Sequence, residues 1–390
     1  VYRKAFDVSR EEMEQVIRTL AEDSQEGSGS MGDDTPLPVM SRRTRSLYDY
    51  FRQQFAQVTN PPIDPLRVKW VMSLKTCIGS EQNIFVEDAA HARRIVLASP
   101  VLSPGEFRQL LMLEGEAYRH ERIDLNVATD ISLSAAIRNI CYQAERAIWS
   151  GATLLVLSDR QLGPDRLTVP AALATGAVHH HLVNTGLRCR SNILVETGTT
   201  RNPHEFAVLI GFGATAVYPY LAYQCAAQVA DWSGQTVPEH QRRYRAGIDK
   251  GLYKILSKMG ISTISSYRGA QLFEAVGLCR EVVDLCFAGV TSRIEGSGFA
   301  ELEAGQRQLA ARAWDSLVPI ESGGLLKYVH GGESHAFNPD VVQAIRSYAL
   351  TGDPAEYERY RTLVNEREPL VLRDLLALRH SRQPIPCLLY

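Results

Sequence analysis

Acidic, basic and phenolic side chains follow apolar runs in the middle of this chain, at positions where a catalytic site could form. Asp159 and Arg160 come after one apolar run, Glu196 ends a second and Tyr218 lies at the end of a third. In a barrel of alternating strands and helices, active sites are built at the carboxyl ends of the strands. A carboxylate there beside Arg160 or Arg201 could bind a phosphate or act as a general base. The alternative, which we favour, is that these groups form structural ion pairs.

Three sets of residues have the types that bind metal ions, but their spacing is poor. Neighbouring residues on a helix point about 100° apart, so a histidine triplet cannot share one ion. Two cysteines without further partners do not make a structural zinc site. We therefore expect no metal, with zinc in the loop HGGESHAFN as the open alternative. The three sets are His179–His181, the pair Cys279 and Cys286, and the loop group His330, Glu333 and His335.

The segment GFGA at 211–214 has the glycines of a phosphate-binding loop but not its context. It lacks the third glycine of G-x-G-x-x-G, and it follows a predicted helix instead of opening one. We predict a helix end that leads into a strand. The chain also contains no G-x-S-x-G nucleophile motif. The sequence thus predicts no self-contained active site and no catalytic residue.

Predicted strands and helices alternate through the centre of the chain, which indicates an α/β fold. Such alternation predicts a parallel sheet, closed or nearly closed like a (β/α) barrel, with linking segments at both ends. The predicted strands are 123–127, 153–159, 192–197, 214–222, 261–264 and 282–289; the predicted helices are 4–22, 46–55, 133–149, 169–184, 203–211, 240–259, 269–276, 302–314 and 339–348.

Composition excludes several classes of function. The 390 residues are 45% hydrophobic and 22% charged with a net charge of -2, so nothing favours nucleic acid or an anionic membrane. We find no apolar run of transmembrane length and no signal-peptide pattern. The seven scattered cysteines are typical of reduced thiols in a cytoplasmic protein.

Several long motifs, in a fixed order, resemble one family. The chain is similar to the central domain of the glutamate synthase large subunit, of the bacterial NADPH-dependent type. The motifs are SMGDDTPL, QVTNPPIDP, GFGATAVYPYLAY, KGLYKILSKMGISTISSYRGAQLFEAVGL, GGLLKYVHGGE and LRDLL.

The resemblance implies a domain organisation. Residues 1–38 would be the end of a glutaminase domain and a linker, 39–320 the central domain, and 321–390 the start of an FMN-binding synthase domain. The family's central domain resembles its FMN-binding barrel but does not bind FMN. No cofactor or metal is therefore expected in this chain.

The resemblance also implies an activity. Glutamate synthase is an amidotransferase and oxidoreductase that makes two glutamates from glutamine, 2-oxoglutarate and NADPH, in ammonia assimilation. Its glutaminase uses an N-terminal cysteine nucleophile, and Val1 is not that residue. FMN, the 3Fe-4S cluster and the FAD of the small NADPH-oxidising subunit would be bound elsewhere. The chain alone is expected to be inactive, with the glutaminase and synthase domains and the small subunit as partners.

Two loops would form part of the wall of the family's ammonia tunnel. A passage for neutral ammonia needs apolar walls and small polar contacts, because charges would trap ammonium. A thioether is flexible and a hydroxyl can pass on a hydrogen bond. The simpler alternatives are a flexible linker at 22–38 and a rigid proline-rich connection at 55–67. The predicted tunnel residues are Met31, Thr59 and Asn60.

Two other functions remain open from the sequence. The barrel could bind FMN or another phosphate ligand, with Gly289 or the turn 296–298 as the phosphate loop. Alternatively, the chain could be a module that docks the small NADPH-oxidising subunit.

Overall fold

The computed structural model describes residues 1–29, 32–56, 58, 63–64, 66–81, 83, 85–234 and 236–377. Within these ranges the strands are β1 (Phe51–Gln53), β2 (Thr76–Ile78), β3 (Ile95–Leu97), β4 (His120–Asp124), β5 (Asn126–Ala128), β6 (Leu154–Ser158), β7 (Arg166–Thr168), β8 (Asn192–Glu196), β9 (Ala216–Tyr218), β10 (Phe273–Leu278) and β11 (Thr291–Ser297).

The α-helices of the same ranges surround these strands. They are α1 (Tyr2–Ala5), α2 (Arg10–Glu12), α3 (Arg18–Asp23), α4 (Val68–Val71), α5 (Pro104–Leu111), α6 (Leu133–Trp149), α7 (Ala171–Asn184), α8 (Pro203–Gly211), α9 (Tyr220–Ser233), α10 (Val237–Met259), α11 (Ile264–Tyr267), α12 (Arg280–Cys286), α13 (Phe299–Trp314), α14 (Pro339–Thr351) and α15 (Pro354–Asn365).

A parallel sheet forms the centre of the molecule, with strand order β4-β6-β8-β9. A parallel bridge between Val101 and Val217 continues the ladder beyond β9. Every residue of β6 and β8 is buried, because helices cover the sheet and its strands are continuous apolar runs. Helices α6, α7, α8 and α9 follow β4, β6, β8 and β9 in turn. The predicted α/β class, with the successive strand–helix units of a barrel-like fold, is confirmed.

The helices between these strands begin and end where the sequence predicts. Helix α8 starts at Pro203, where Asn202 and Glu205 form a reciprocal capping box. It ends at Gly211, and Gly213 then adopts a positive φ of 112° before β9 begins. A side chain at Gly213 would strike the ring of His179, since a Cβ would lie 2.4 Å from it. GFGA is therefore a helix end, as predicted.

The order of elements after residue 260 differs from the prediction. Residues 269–276, predicted as helix, largely form β10, because buried and half-buried residues alternate along FEAVGL and β1 and β11 pair with it. Residues 282–289, predicted as a strand, mostly belong to α12, in which Val282, Val283 and Cys286 share a buried face. The predicted strand 261–264 amounts to a single bridge between Ser73 and Thr263 before α11. Earlier in the chain, the predicted strand 214–222 is shorter, because β9 ends at Tyr218 and α9 begins at Tyr220. The predicted helix 46–55 is a 3-10 turn followed by β1.

The N-terminal segment is broken where the sequence predicts one helix. Asp7 has a positive φ of 50°, which separates α1 from α2, and a π-helical stretch at Met13–Ile17 joins α2 to α3. Met13, Ile17 and Leu20 of this segment are nevertheless buried in the core. Helices α13 and α14 confirm the predicted helices near 302–314 and 339–348. Among the described residues, no helix combines the length and the apolar character needed to cross a membrane.

Candidate functional site

The carboxyl ends of the central strands bring the predicted polar residues together around Glu196. This carboxylate is buried and accepts a hydrogen bond from Ser158 Oγ at 2.7 Å. Arg160 Nη1 lies 3.1 Å from its Oε1, and Arg122 Nη1 lies 3.2 Å from its Oε2. Both carboxylate oxygens are thus occupied. The favoured interpretation of Glu196 and Arg160 as a structural ion pair agrees with this geometry.

Asp159, the other carboxylate at this end of the sheet, is completely buried. Thr197 Oγ1 donates to its Oδ2 at 2.5 Å, and the Gly198 N–H donates at 3.0 Å to Oδ1. Burial raises the pKa of Asp159 to about 7, although these two hydrogen bonds act in the opposite direction. Asp159 is therefore a buried carboxyl group whose raised pKa reflects desolvation.

The N-terminal residues of the chain cover this end of the sheet. The Tyr2 hydroxyl donates to the Arg160 carbonyl at 2.7 Å. The rings of Tyr2 and Phe6 meet the Tyr220 ring edge-on, with centroids 6.0 and 6.4 Å away. The Arg160 guanidinium lies 5.0 Å from the centre of the same ring. Aromatic side chains therefore fill the place where a barrel enzyme would bind its substrate.

A flavin does not fit at this position. A Cβ built at Gly198 would lie 2.6 Å from the Phe6 ring, so there is no space for a phosphate beside that backbone. The glycines considered as an alternative phosphate-binding loop are closely packed as well. A Cβ at Gly289 would meet the Gln271 side chain at 2.2 Å, and one at Gly296 would meet Val39 at 2.3 Å. Gly296 also lies in β11 and not in a loop.

Arg201, the second predicted cation, lies in a buried cluster with two carboxylates. Its Nε donates to Glu12 at 2.6 Å, and its Nη1 donates to the carbonyls of Phe6 and Gly198. Glu205 accepts the backbone N–H of Arg201 at 2.5 Å. Burial lowers the pKa of Arg201, but Glu12 and Glu205 outweigh it and hold the pKa above its ordinary value. This cluster fixes the N-terminal segment to the sheet.

The three candidate sets of metal ligands do not come together in the described part of the chain, which contains no group of three suitable ligands. His179 accepts from Arg188 at 3.0 Å, whereas His181 bonds Glu145 at 2.7 Å. Cys279 Sγ donates to the Gly296 carbonyl, and Cys286 is buried in the core.

The loop at 330–338 is built into the protein by Glu333 and His335. Glu333 accepts from Ser41 Oγ at 2.5 Å and lies 4.0 Å from Arg45. His335 Nδ1 lies 2.7 Å from Asp34 Oδ1 and its Nε2 lies 3.1 Å from the Gly324 carbonyl. His330 is exposed and apart from both. The open zinc alternative therefore has no ligand set here.

A cavity of about 1170 Å³ lies between the N-terminal segment, residues within 43–49 and 168–205, and residues within 321–327. The N-terminal wall includes Gly29 and Gly32, and the central wall includes Ser46, Tyr48 and Thr199. Residues 321–327 contribute a third wall. The predicted tunnel residues Met31, Thr59 and Asn60 lie outside the described residues.

Sequence reasoning missed the charged residues around this cavity. Glu11, Asp34 and Arg45 line it, and each binds a segment distant in sequence. The only signal was local: the DDT sequence predicts the turn in which Asp33 accepts from the Thr35 N–H at 3.0 Å. Nothing local indicates partners about 300 residues away.

Comparison with known proteins decides the family. The model of the glutamate synthase central domain matches residues 2–279. The chain belongs to this family. It is 40% identical to the NADPH glutamate synthase large chain of Azospirillum brasilense and 38% to that of Bacillus subtilis, and 39% to the ferredoxin-dependent glutamate synthase of Pyropia yezoensis.

Glutamate synthases of both electron-donor types are therefore equally similar to this chain. Each of these alignments covers 98% of the chain but only 25 or 26% of the relative. The chain thus spans about a quarter of the length of the curated relatives that it matches.

Solved structures add little to the assignment. A mandelate oxidase variant aligns over 65% of this chain and 97% of its own, at 13% identity and a TM-score of 0.35. The flavin-binding domain of baker's yeast flavocytochrome b2 has a TM-score of 0.32, at 13% identity over 50% of this chain and 41% of its own. At these scores the likeness carries no argument, and the fold rests on the chain's own strand order.

Proposed function

We propose that this glutamate synthase central domain holds a glutaminase site and a synthase site in register and forms part of the ammonia passage between them. The intact enzyme would convert glutamine, 2-oxoglutarate and NADPH into two glutamates in the cytoplasm. FMN and a 3Fe-4S cluster would be bound by other parts of the large subunit, and FAD by the small NADPH-oxidising subunit. The central domain itself would supply no catalytic group.

The observation that carries this proposal is the cavity beside a filled barrel. Tyr2, Phe6 and Tyr220 fill the end of the sheet where a barrel enzyme binds its substrate. The nearby cavity, in contrast, has walls from three segments of the chain. On the proposed division at 38 and 320, those segments belong to the linker, the central domain and the start of the synthase domain. A passage between sites would keep ammonia at high local concentration.

The cavity wall is more charged than a passage for ammonia ideally would be. Glu12 is neutralised by Arg201 at 2.6 Å, and Asp34 lies 2.7 Å from His335. A carboxylate that is already paired or hydrogen-bonded holds ammonium less strongly than an isolated one does. We therefore propose that ammonia passes along the side formed by Ser46 and Thr199.

Ser46 offers a direct test, because it lines the cavity and its side chain makes no hydrogen bond among the described residues. Ser46→Phe in the intact enzyme should narrow the passage. We expect free ammonia to appear in solution and less than one 2-oxoglutarate to be consumed for each glutamine hydrolysed. Ser46→Ala is the matched control and should remain coupled. Tight coupling in a folded Ser46→Phe enzyme would contradict a passage at this wall.

The alternative flavin-binding barrel is tested on the chain itself. A visible absorption spectrum and a melting curve, each with and without excess FMN, should show no flavin band and no change in Tm. Stabilisation by FMN would overturn the scaffold proposal, since the strand ends would then have to open.

Docking of the small NADPH-oxidising subunit is a separate question. Co-purification of that subunit with this chain would favour the docking module. No co-purification, together with uncoupling by Ser46→Phe, would favour the passage.

A further inference from the structure

The carboxylate of Glu11 is bound by a run of backbone amides that lies more than 300 residues away in sequence. Its Oε2 accepts the N–H groups of Gly324 at 2.8 Å, Leu325 at 3.1 Å and Leu326 at 3.2 Å, and its Oε1 accepts the N–H of Lys327 at 2.7 Å. Four successive amides thus converge on one carboxylate. We call residues 321–327 the strap.

The strap is shaped for this contact. Gly323 and Gly324 have φ values of 138° and 108°, which only glycine adopts readily. A Cβ at Gly323 would lie 2.4 Å from Glu11 Cβ, so the close approach also requires glycine. Successive amides that point to one side form a concave nest that favours an anion. The two glycines turn the strap's amides toward Glu11.

Helix α2, which carries Glu11, also donates backbone hydrogen bonds to the strap. The backbone N–H groups of Arg10 and Glu11 donate to the carbonyls of Glu321 and Ser322 at 2.9 and 3.0 Å. Among the described residues, the hydrogen bonds that the Glu11 carboxylate accepts come from the strap amides. Leu325, Leu326 and Lys327 are exposed, which leaves Glu11 as the main contact of this part of the strap.

We propose that the strap is a carboxylate-binding nest whose resident ligand is Glu11, and that this contact is a latch that closes one wall of the cavity. The Glu11 side chain can leave while the backbone hydrogen bonds of Arg10 and Glu11 to Glu321 and Ser322 keep the strap attached. A free carboxylate of similar size then fits the four amides. This latch does not depend on what the cavity carries.

Hydrogen exchange of the strap amides tests the latch on the 390-residue chain. Glu11→Ala should speed exchange at 324–327 by about tenfold or more, since each amide loses its acceptor. Glu14→Ala is the matched control, because Glu14 is exposed and makes no hydrogen bond among the described residues. Unchanged exchange in Glu11→Ala, relative to Glu14→Ala, would overturn the latch.

Chemical rescue tests the nest. Added acetate should slow strap exchange in Glu11→Ala, while chloride at the same ionic strength should not, because only a carboxylate offers two acceptor oxygens. Equal effects of acetate and chloride would overturn the binding site. If Glu11→Ala does not fold, Glu11→Gln keeps the shape and removes the charge; it should exchange faster than the wild type, and wild-type exchange would contradict the proposal.

Discussion

At the scale of single residues, burial explains the two carboxylates at the strand ends better than a catalytic role does. Asp159 and Glu196 are at positions where a barrel enzyme would place catalytic carboxylates, yet both are fully hydrogen-bonded inside the protein. A raised pKa at a strand end is often read as a sign of catalysis. Here the raised pKa of Asp159 follows from desolvation, and the group's measurable effect is on stability.

Asp159→Asn should change how stability depends on pH. The folded pKa of about 7 exceeds the ordinary value of 3.8, so the folded state binds more protons between these values. Stability is therefore lost as pH rises from about 4 to about 7, by at most about 1.4 kcal/mol per unit. The variant has no titrating group at this position. Its free energy of unfolding should therefore rise relative to that of the wild type as pH increases. Urea unfolding at pH 4.5, 6 and 8 measures this difference in stability. Parallel pH profiles of the variant and the wild type would contradict the raised pKa of Asp159.

Arg201→Met should be strongly destabilising, because it leaves the buried Glu205 and the partly buried Glu12 without their cation. We expect a loss of about 3–5 kcal/mol in the free energy of unfolding. The loss should shrink as pH falls, because burial raises the pKa of Glu205 and the protonated carboxyl group needs no cation. Arg293→Met is the control, since Arg293 is 79% exposed and 3.6 Å from Glu274, and should have an effect within about 0.5 kcal/mol. Similar losses in both variants would refute the argument.

At the scale of elements, the sequence predicts well where one signal dominates. Strands β6 and β8 are continuous apolar runs, and α6 has a clear helical period, so their positions follow from local pattern. The prediction is wrong at β10 and α12. FEAVGL and REVVDLC are both short and mixed, and the pairing of β10 with β1, more than 200 residues earlier, decides between helix and strand.

The N-terminal helix α1 and the turn after it show the same limit. Nothing in YRKAF indicates that Phe6 will pack on Tyr220, because the partner is a tertiary contact. That contact nevertheless decides whether the end of the sheet is open or filled. Hence the prediction of no self-contained active site could be argued from motifs, while the packing that fills this end of the sheet could not.

Phe6→Ala tests that the N-terminal segment is an integral part of the barrel. Phe6 is 7% exposed and packs on Tyr220 and Gly198, so its truncation should cost about 3–5 kcal/mol of stability. Phe85→Ala removes the same ring at a site that is 90% exposed and should leave Tm nearly unchanged. Thermal unfolding compares the two. An equal and small effect would mean that the segment is only loosely attached.

At the scale of the whole molecule, long-range polar contacts connect the two ends of the chain. Glu11 binds the strap, Asp34 binds His335, and Ser41 binds Glu333, each across about 300 residues. Glu11 and Asp34 line the cavity, and none of these contacts was predictable from sequence, because no local pattern indicates the distant partner. The proposed boundaries at 38 and 320 therefore separate segments that pack as one structure in the described residues.

The predicted tunnel residues give the sharpest test of the passage in the intact enzyme. Met31→Trp replaces a flexible thioether by a rigid ring, and Thr59→Val and Asn60→Leu remove the polar contacts expected to help ammonia along. Each change should raise free ammonia per glutamine hydrolysed and lower glutamate formation, with Met31→Trp largest because it adds bulk. Met112→Trp, at a site 78% exposed and absent from the cavity wall, should remain coupled. If the three variants fold and stay as coupled as Met112→Trp, the passage does not run along these loops, and Ser46 would then be the test of a passage through the cavity alone.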